Sequence, residues 1–210
     1  MDESKRLEAF SDGVIAIAIT LLVLDIHVPD VGHRGGLARA LAHQWPSYAA
    51  YALTFVVIGI MWVNHHALFA QVVRVNRTLL LLNIMLLMGI GFLPFPTALT
   101  ARYLRDGNNG RVATAIYSTT MVFIGLGFLI LWWYLSRNPQ LLRPEFGARG
   151  AQAALRRTVP GPALYAASIV VAVAAPVICL AVYAAMAAYF IFPQHPHNLM
   201  EPDDIESGPA

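Results

Sequence analysis

Long apolar stretches constrain the fold of this chain more than any other feature of its sequence. Hydrophobic residues make up 58% of the 210 residues and charged residues only 12%, which is more apolar surface than a water-soluble domain of this length can bury. About 20 consecutive apolar residues cross the ~30 Å hydrocarbon core of a bilayer as one helix. We therefore expect an all-α integral membrane protein.

Six transmembrane helices are predicted from the positions of these stretches. Four segments cover approximately residues 9–28, 46–69, 75–103 and 112–136, and residues 137–157 are interpreted as a basic loop. The apolar run 159–192 is too long for one crossing, and Pro176 divides it into two short helices. Residues 1–192 then form a six-helix transmembrane domain, and the acidic tail 193–210 is expected to be disordered.

Prolines, glycines and one polar turn give further local expectations. Pro94 and Pro96 should kink or loosen the third segment in its last turns. The run 106–110, Asp-Gly-Asn-Asn-Gly, is typical of a turn. Four glycines should allow neighbouring helices to approach closely: Gly89, Gly91, Gly125 and Gly127.

The distribution of Lys and Arg predicts the orientation in the membrane. With a cytoplasmic N-terminus, nine basic residues lie on the inner side and five on the outer side, which agrees with the positive-inside rule. An even number of crossings places the C-terminus on the cytoplasmic side as well. Asp2, Glu3 and Glu8 stand where a secretory leader carries positive charge, so we interpret the N-terminal segment as retained.

Several classes of chemistry are disfavoured. Cys179 is the single cysteine, so no intrachain disulfide can form, and a net charge of +2 without a basic stripe does not indicate a nucleic-acid partner. His65 and His66 are adjacent on a helix and point about 100° apart, so they cannot chelate one metal ion as an i, i+4 pair can. We expect no metal and no cofactor.

A polar cluster lies at the threshold of the first apolar helix. Asp12 is costly at membrane depth and is expected either in a buried structural pair or on an ion path. At 100° per residue, Asp12 projects about 140° away from Ile17. The stripe on the side of Ile17 consists of Ile17, Thr20, Leu21 and Leu24. From periodicity alone, that stripe is more simply explained as core or lipid contact.

Two groups of residues resemble a known family. The first helix contains Arg6, Phe10, Ser11, Asp12 and Gly13, followed by the stripe from Ile17 to Leu24. The end of the second segment contains Trp62, His65, His66 and Phe69. Together they resemble the transmembrane protein 175 family. The resemblance implies a potassium-permeable cation channel, a homotetramer of six-helix subunits whose first helices line a central pore.

The same resemblance implies the position of the narrowest passage. Ile17 and Leu24 are the expected constriction residues, with Thr20 and Leu21 between them, and rings of aliphatic side chains can gate ions by excluding water. The sequence has no Thr-Val-Gly-Tyr-Gly loop, so any selectivity for potassium over other monovalent cations must arise without a filter of carbonyl groups. We expect it to be weaker than in channels that have such a filter.

The polar residues around the threshold are interpreted as a structural network that holds the first helix. Its expected members are Arg6, Phe10, Ser11, Asp12, Trp62, His65 and His66. A carboxylate in an apolar setting needs a cation or several donors, and these side chains can supply them. The functional alternative places Asp12 in the conduction path. His65 or His66 could also titrate near neutral pH, although a hydrogen-bonded histidine is the commoner case.

Acidic residues also follow the outer end of the first helix. Asp25 and Asp30 could attract cations to an extracellular mouth, but acids at a helix end are also simply solvated. Two other functions compete with a channel. A secondary transporter or permease would need a polar site near the midplane, and an intramembrane enzyme would have to use Ser11, Asp12 and His65. We favour a non-enzymatic channel whose partners are monovalent cations, the lipid bilayer and identical subunits.

Overall fold

The structure, a computed structural model, describes residues 3–29 and 36–191 and is almost entirely helical within them. In these two ranges nine α-helices follow one another: α1 (Glu3–Leu21), α2 (Leu37–His43), α3 (Trp45–Phe69), α4 (Arg77–Phe92), α5 (Pro94–Tyr103), α6 (Gly107–Arg137), α7 (Gly147–Thr158), α8 (Pro160–Ala174) and α9 (Pro176–Ile191). Two short 3-10 helices, Leu22–Asp25 and Pro139–Leu141, follow α1 and α6. The prediction of an all-α fold is confirmed. The predicted tail 193–210 lies outside the described residues.

Five stretches of the described chain are long and apolar enough to cross a membrane. They are Glu3–Asp25, Trp45–Phe69, Arg77–Tyr103, Gly107–Arg137 and Gly147–Ala174, and a shorter apolar helix covers Pro176–Ala188. Most of their surface faces outward from the single chain, as expected where lipid replaces water as the solvent. The chain is therefore a multi-pass membrane protein.

The third crossing consists of two helices joined at one residue. The amide of Leu93 bonds to the carbonyl of Ile90 rather than to a residue one full α-turn back, and Pro94 begins α5. Proline has no amide hydrogen and its ring clashes with the preceding turn, so the regular helix ends there. The expected kink or loosening is confirmed as an interruption of the α-helix at Leu93.

Two sequence predictions of irregular structure need correction. The chain turns at residues 104–106, earlier than expected, and residues 107–110 are the first turn of α6, where the Asp106 carboxylate accepts a hydrogen bond from the Asn109 side chain (2.8 Å) and the Asp106 carbonyl accepts the amide of Gly110. The expected loop 137–157 contains α7, whose buried Ala151 packs against α6. Alanines at helical spacing form a packing face on α7. The glycines and arginines of the same segment are typical of loops, so its composition does not indicate a helix.

The predicted division of the last apolar run at Pro176 is confirmed, and α8 and α9 form an antiparallel pair. The hydroxyls of Ser168 and Tyr183 are 2.8 Å apart although 15 residues separate them, a distance of about 22 Å along one straight helix. The Tyr183 hydroxyl also bonds to Ser118 of α6. These buried hydroxyls attach the last two helices to the centre of the bundle.

Close helix contacts in the core depend on glycine. A Cβ atom placed on Gly89 of α4 would lie 2.8 Å from Cδ1 of Phe123 on α6, and one on Gly125 would lie 2.8 Å from Cγ of Pro162 on α8. At these positions the absence of a side chain lets the helices pack more closely than alanine permits. At Gly91 a Cβ atom would meet nothing within 4 Å, so the predicted close approach does not occur there within the described chain.

One end of the bundle is connected by hydrogen bonds between loops. The amide of Val73 bonds to the Leu141 carbonyl at 2.8 Å, and the amide of Arg143 bonds to the Gln71 carbonyl at 2.9 Å. The hydroxyl of Ser4 donates to the Val72 carbonyl at 3.1 Å. The start of α1, the α3–α4 connection and the α6–α7 connection therefore lie side by side.

Candidate functional site: the two faces of the first helix

The first helix has a buried face and an exposed face. The buried residues recur every three or four positions, as expected for one side of an α-helix: Ser4, Leu7, Ser11, Ile15, Ala18 and, in the following 3-10 turn, Leu22. They face α3 and α4, which pack against α1. The register of α1 in the bundle is thus set by four apolar residues and two serines.

The predicted stripe lies on the exposed face. Ile17 is 61% exposed and Leu24 67% exposed, with Thr20 and Leu21 exposed between them. The Thr20 hydroxyl donates to the carbonyl of Ile17 at 2.9 Å, so its hydrogen is used within the helix while its oxygen keeps free lone pairs. In the single chain the whole stripe is open to lipid or to another copy of the protein.

Ser11 begins a fully buried chain of hydrogen bonds that reaches α3. Its hydroxyl donates to the carbonyl of Leu7 at 2.9 Å and accepts from the Asn83 side-chain amide of α4 at 2.9 Å. The Asn83 carbonyl oxygen then faces His65 Nε2, also at 2.9 Å. Because an amide oxygen can only accept, Nε2 carries the hydrogen and His65 is held in one tautomer. Three helices are joined by these bonds.

A second pair of contacts lies nearer the surface. The indole Nε1 of Trp62 donates to the carboxylate of Asp12 at 2.9 Å. The Nδ1 atom of His66 is 2.7 Å from a carboxylate oxygen of Glu8, and the rings of His66 and Trp62 stack with centroids 6.0 Å apart. Two carboxylates of α1, four residues apart and hence on one side of the helix, are each bound by a side chain of α3.

The structure brings together most, but not all, of the residues expected in the network. Ser11, Asp12, Trp62, His65 and His66 take part in the contacts above. Arg6 is exposed and forms no ion pair with an acid within residues 3–29 and 36–191. Phe10 is 57% exposed and lies outside the buried cluster. The network therefore uses histidine and tryptophan donors rather than a guanidinium.

Sequence reasoning missed two participants, Asn83 and Glu8. Asn83 is the one polar residue between Leu79 and Met88, a run that is otherwise aliphatic, and a lone amide at membrane depth is a signal of a specific partner. Glu8 precedes Asp12 by one helical turn, which places both on the same side of α1. Neither signal identifies the partner, because the partner is on another helix.

The Asp25 end of the first crossing borders a cavity. A space of about 480 Å³ is lined by residues that include Asp25, His27, Gln44 and Arg102, and His27 Nδ1 bonds to the carbonyl of Asp25 at 3.0 Å. Asp30, the other acid expected at an outer mouth, lies outside the described residues. No cluster of three His, Cys, Asp or Glu side chains suited to a metal ion occurs in the part of the chain that the structure describes.

The fold and the site define a polytopic helical membrane protein. It has several apolar crossings, a first helix exposed along one apolar stripe, and a polar network at the base of that helix. The family model described as "Endosomal/lysosomal potassium channel TMEM175" matches residues 6–94, which contain the whole network. A potassium channel of Streptomyces collinus is 48% identical over 93% of this chain and 95% of that protein. The chain therefore belongs to the TMEM175 family, a family of ion channels and not of enzymes.

Two further relatives extend the comparison. The crystal structure of a lysosomal potassium-selective channel TMEM175 homologue from Chamaesiphon minutus superposes with a TM-score of 0.81 at 37% identity, covering 91% of this chain and 97% of that one. The human endosomal/lysosomal proton channel TMEM175 is 36% identical over 69% of this chain but only 31% of its own length. The single-chain fold is thus shared with bacterial members over nearly the full length.

Proposed function

We propose that this protein is a passive, potassium-permeable cation channel in which copies of α1 surround a common ion path. The observation that carries the proposal is the division of α1 into two faces. Its buried face is fixed to α3 and α4, whereas Ile17 and Leu24 project outward at 61% and 67% exposure. Relatives named potassium channels in Streptomyces collinus and Chamaesiphon minutus support potassium as the permeant ion.

The exposed stripe supplies the narrowest part of this proposed path. Ile17 and Leu24 are seven residues apart, which corresponds to about 10–12 Å along the helix axis, since Leu24 lies in the 3-10 turn after α1. Four copies related by rotation would form two aliphatic rings with Thr20 and Leu21 between them. A narrow aliphatic ring excludes water and so raises a barrier to a hydrated ion, and a small rotation or dilation removes that barrier. The stripe can therefore be both constriction and gate.

Selectivity in the proposed channel does not rely on a loop of backbone carbonyls. The sequence lacks such a filter motif, and the described part of α1 keeps its backbone groups within the helix. Potassium is preferred over sodium because it loses its hydration shell more easily, so the preference should be modest. A secondary transporter, the alternative function, would require a polar substrate site near the membrane midplane. The family assignment does not rest on such a site.

The network at the base of α1 is proposed to position the pore helix. Ser11 and Asp12 belong to the buried and half-buried sides of α1 and are bound by side chains of α3 and α4, away from the stripe. A helix held this way presents Ile17 and Leu24 at a fixed angle. Asp25 and Asp30 are proposed to raise the local cation concentration at the outer end of the path. We also propose that the protein lies in the cell membrane with both termini of each subunit in the cytoplasm.

Ion flux from liposomes tests the assigned constriction. We expect Ile17→Asn and Leu24→Asn to raise potassium flux and to reduce discrimination among potassium, sodium and caesium, because a polar ring remains wetted. Ile178→Asn on α9 is a matched control, since the same residue type is replaced at 59% exposure. Unchanged flux and selectivity in both α1 variants would contradict the constriction.

A further inference from the structure

A basic surface covers the end of the bundle where the loops meet. Within the described residues this end carries nine cationic side chains and three acids, Glu3, Glu8 and Glu145. The cations are Lys5, Arg6, Arg74, Arg77, Arg137, Arg143, Arg149, Arg156 and Arg157, and all nine are exposed. None of these nine forms an ion pair with a described Asp or Glu side chain. We call this set the basic surface.

The helix α7 gives the basic surface its position relative to the membrane. Arg149 and Arg156 are seven residues apart and lie about 20° apart around the helix, with Arg157 on the adjoining side. The opposite side packs on α6 through the fully buried Ala151. Such a two-sided helix fits a membrane boundary, where one side contacts protein and the other contacts charged headgroups.

The depth of these arginines follows from their neighbours. Arg157 precedes Pro160, the first residue of the apolar helix α8, by three positions, or about 4.5 Å of helix. The Phe146 ring, just before α7, packs on Trp132 of α6 with centroids 5.9 Å apart, and Arg137 lies over the Trp133 ring at 5.8 Å. Tryptophan marks the headgroup level of a bilayer. The arginines of α7 therefore lie at that level.

The surface also lies where lipid can reach it. Where α7 continues into α8, Val159 is 49% exposed and Leu164 is 48% exposed. We propose that the arginines of α7 bind the phosphate groups of anionic phospholipids in the adjacent leaflet. Guanidinium groups pair with phosphate oxygens through two parallel hydrogen bonds, and clusters of Lys and Arg next to a transmembrane helix attract anionic lipid. The arginines of α7 lie on a different helix from α1, to which we assign the ion path.

Lipid binding by the purified protein tests the proposal. The probe is fluorescently labelled phosphatidylglycerol in detergent micelles, with labelled phosphatidylcholine as the uncharged comparison. The variant Arg149→Gln, Arg156→Gln, Arg157→Gln should bind phosphatidylglycerol about fivefold more weakly per arginine, on the order of 100-fold in total. The corresponding lysine variant, which keeps the charge, should bind more tightly than the glutamine variant and shows that loss of binding is not loss of folding.

A matched control removes the same charge from the other end of the bundle. Arg102→Gln, Arg105→Gln and Arg111→Gln combined should leave phosphatidylglycerol binding within about twofold of wild type, because distant charges are screened. Equal losses in the two triple variants, or equal binding of the two lipids, would overturn the proposal. So would displacement of the lipid by millimolar inorganic phosphate, which would indicate a soluble anion site.

The acidic segment 193–210 is the competing occupant, since it carries four acids. A chain ending at Ile191 should bind phosphatidylglycerol at least as tightly as the full chain does. If the full chain bound no anionic lipid and binding appeared only after truncation, the occupant of the basic surface would be the acidic segment 193–210, and the proposal would be wrong.

Discussion

The buried bond between Asn83 and His65 gives the most precise stability prediction. Replacing Asn83 by leucine keeps the number and branching of side-chain heavy atoms, so no large cavity forms. The change removes the acceptor of the His65 Nε2 hydrogen, and His65 is completely buried. The Ser11 hydroxyl keeps its bond to the Leu7 carbonyl. The variant therefore leaves one buried donor unpaired.

The magnitude follows from that unpaired donor. An unsatisfied buried polar group costs about 1–3 kcal/mol, and membrane hydrogen bonds contribute about 0.6 kcal/mol each on average. We expect Asn83→Leu to lower the free energy of unfolding by about 1–3 kcal/mol, which is roughly a 5- to 150-fold change in the ratio of folded to unfolded protein. His65→Leu should cost a similar amount, because it leaves the Asn83 oxygen without its donor.

Unfolding in mixed micelles, followed by tryptophan fluorescence, measures these values. The double variant Asn83→Leu, His65→Leu should cost about 1–3 kcal/mol less than the sum of the single variants, because both partners of one bond are removed together. Asn64→Leu on the exposed side of α3 is the control and should stay within about 0.5 kcal/mol of wild type. Additive single effects, or an Asn83 variant as stable as the Asn64 control, would refute the reasoning.

Two further substitutions test other contacts by thermal unfolding. Trp62→Phe keeps an aromatic ring but removes the 2.9 Å bond to Asp12, and because the site is half-exposed we expect the free energy of unfolding to fall by about 1 kcal/mol. The control Trp133→Phe, at a residue that is 51% exposed, should change stability less. Equal effects of the two variants would exclude a role for the bond. Gly89→Ala places a methyl group 2.8 Å from an aromatic ring of α6 and should cost about 1–3 kcal/mol. Gly91→Ala meets no atom within 4 Å and should be neutral or stabilising by about 0.5–1 kcal/mol; a reversed order of the two glycine variants would contradict the packing described.

The helix boundaries that the sequence predicts well are those set by the backbone itself. Pro94 and Pro176 interrupt helices because a ring replaces the amide hydrogen, and this holds whatever surrounds them. The helix α7 was missed because glycine and arginine are common in loops, whereas its stability comes from packing Ala151 on α6. Tertiary contact of this kind cannot be deduced from local composition.

The candidate site also has features that the sequence predicts and features that depend on tertiary contacts. The helical period places Ile17 and Leu24 on one side of the first helix and Asp12 on another, and the structure exposes Ile17 on α1 and Leu24 in the 3-10 turn that follows it. The role of Asn83 could not be derived, since the bond to Ser11 joins residues 72 positions apart. Arg6 was expected near Asp12 because opposite charges attract, but the Trp62 indole occupies that position. Which donor reaches a carboxylate depends on the helix packing.

Cysteine accessibility tests most directly whether the stripe on α1 faces a shared ion path. The one native cysteine, Cys179, is fully buried, so Leu24→Cys introduces a single reactive position. A water-soluble cationic thiol reagent should block potassium flux through Leu24→Cys in liposomes, whereas Ile178→Cys, exposed on α9, should keep its flux. Flux that is unaffected by modification at Leu24→Cys, or reduced equally in both variants, would contradict a path lined by α1.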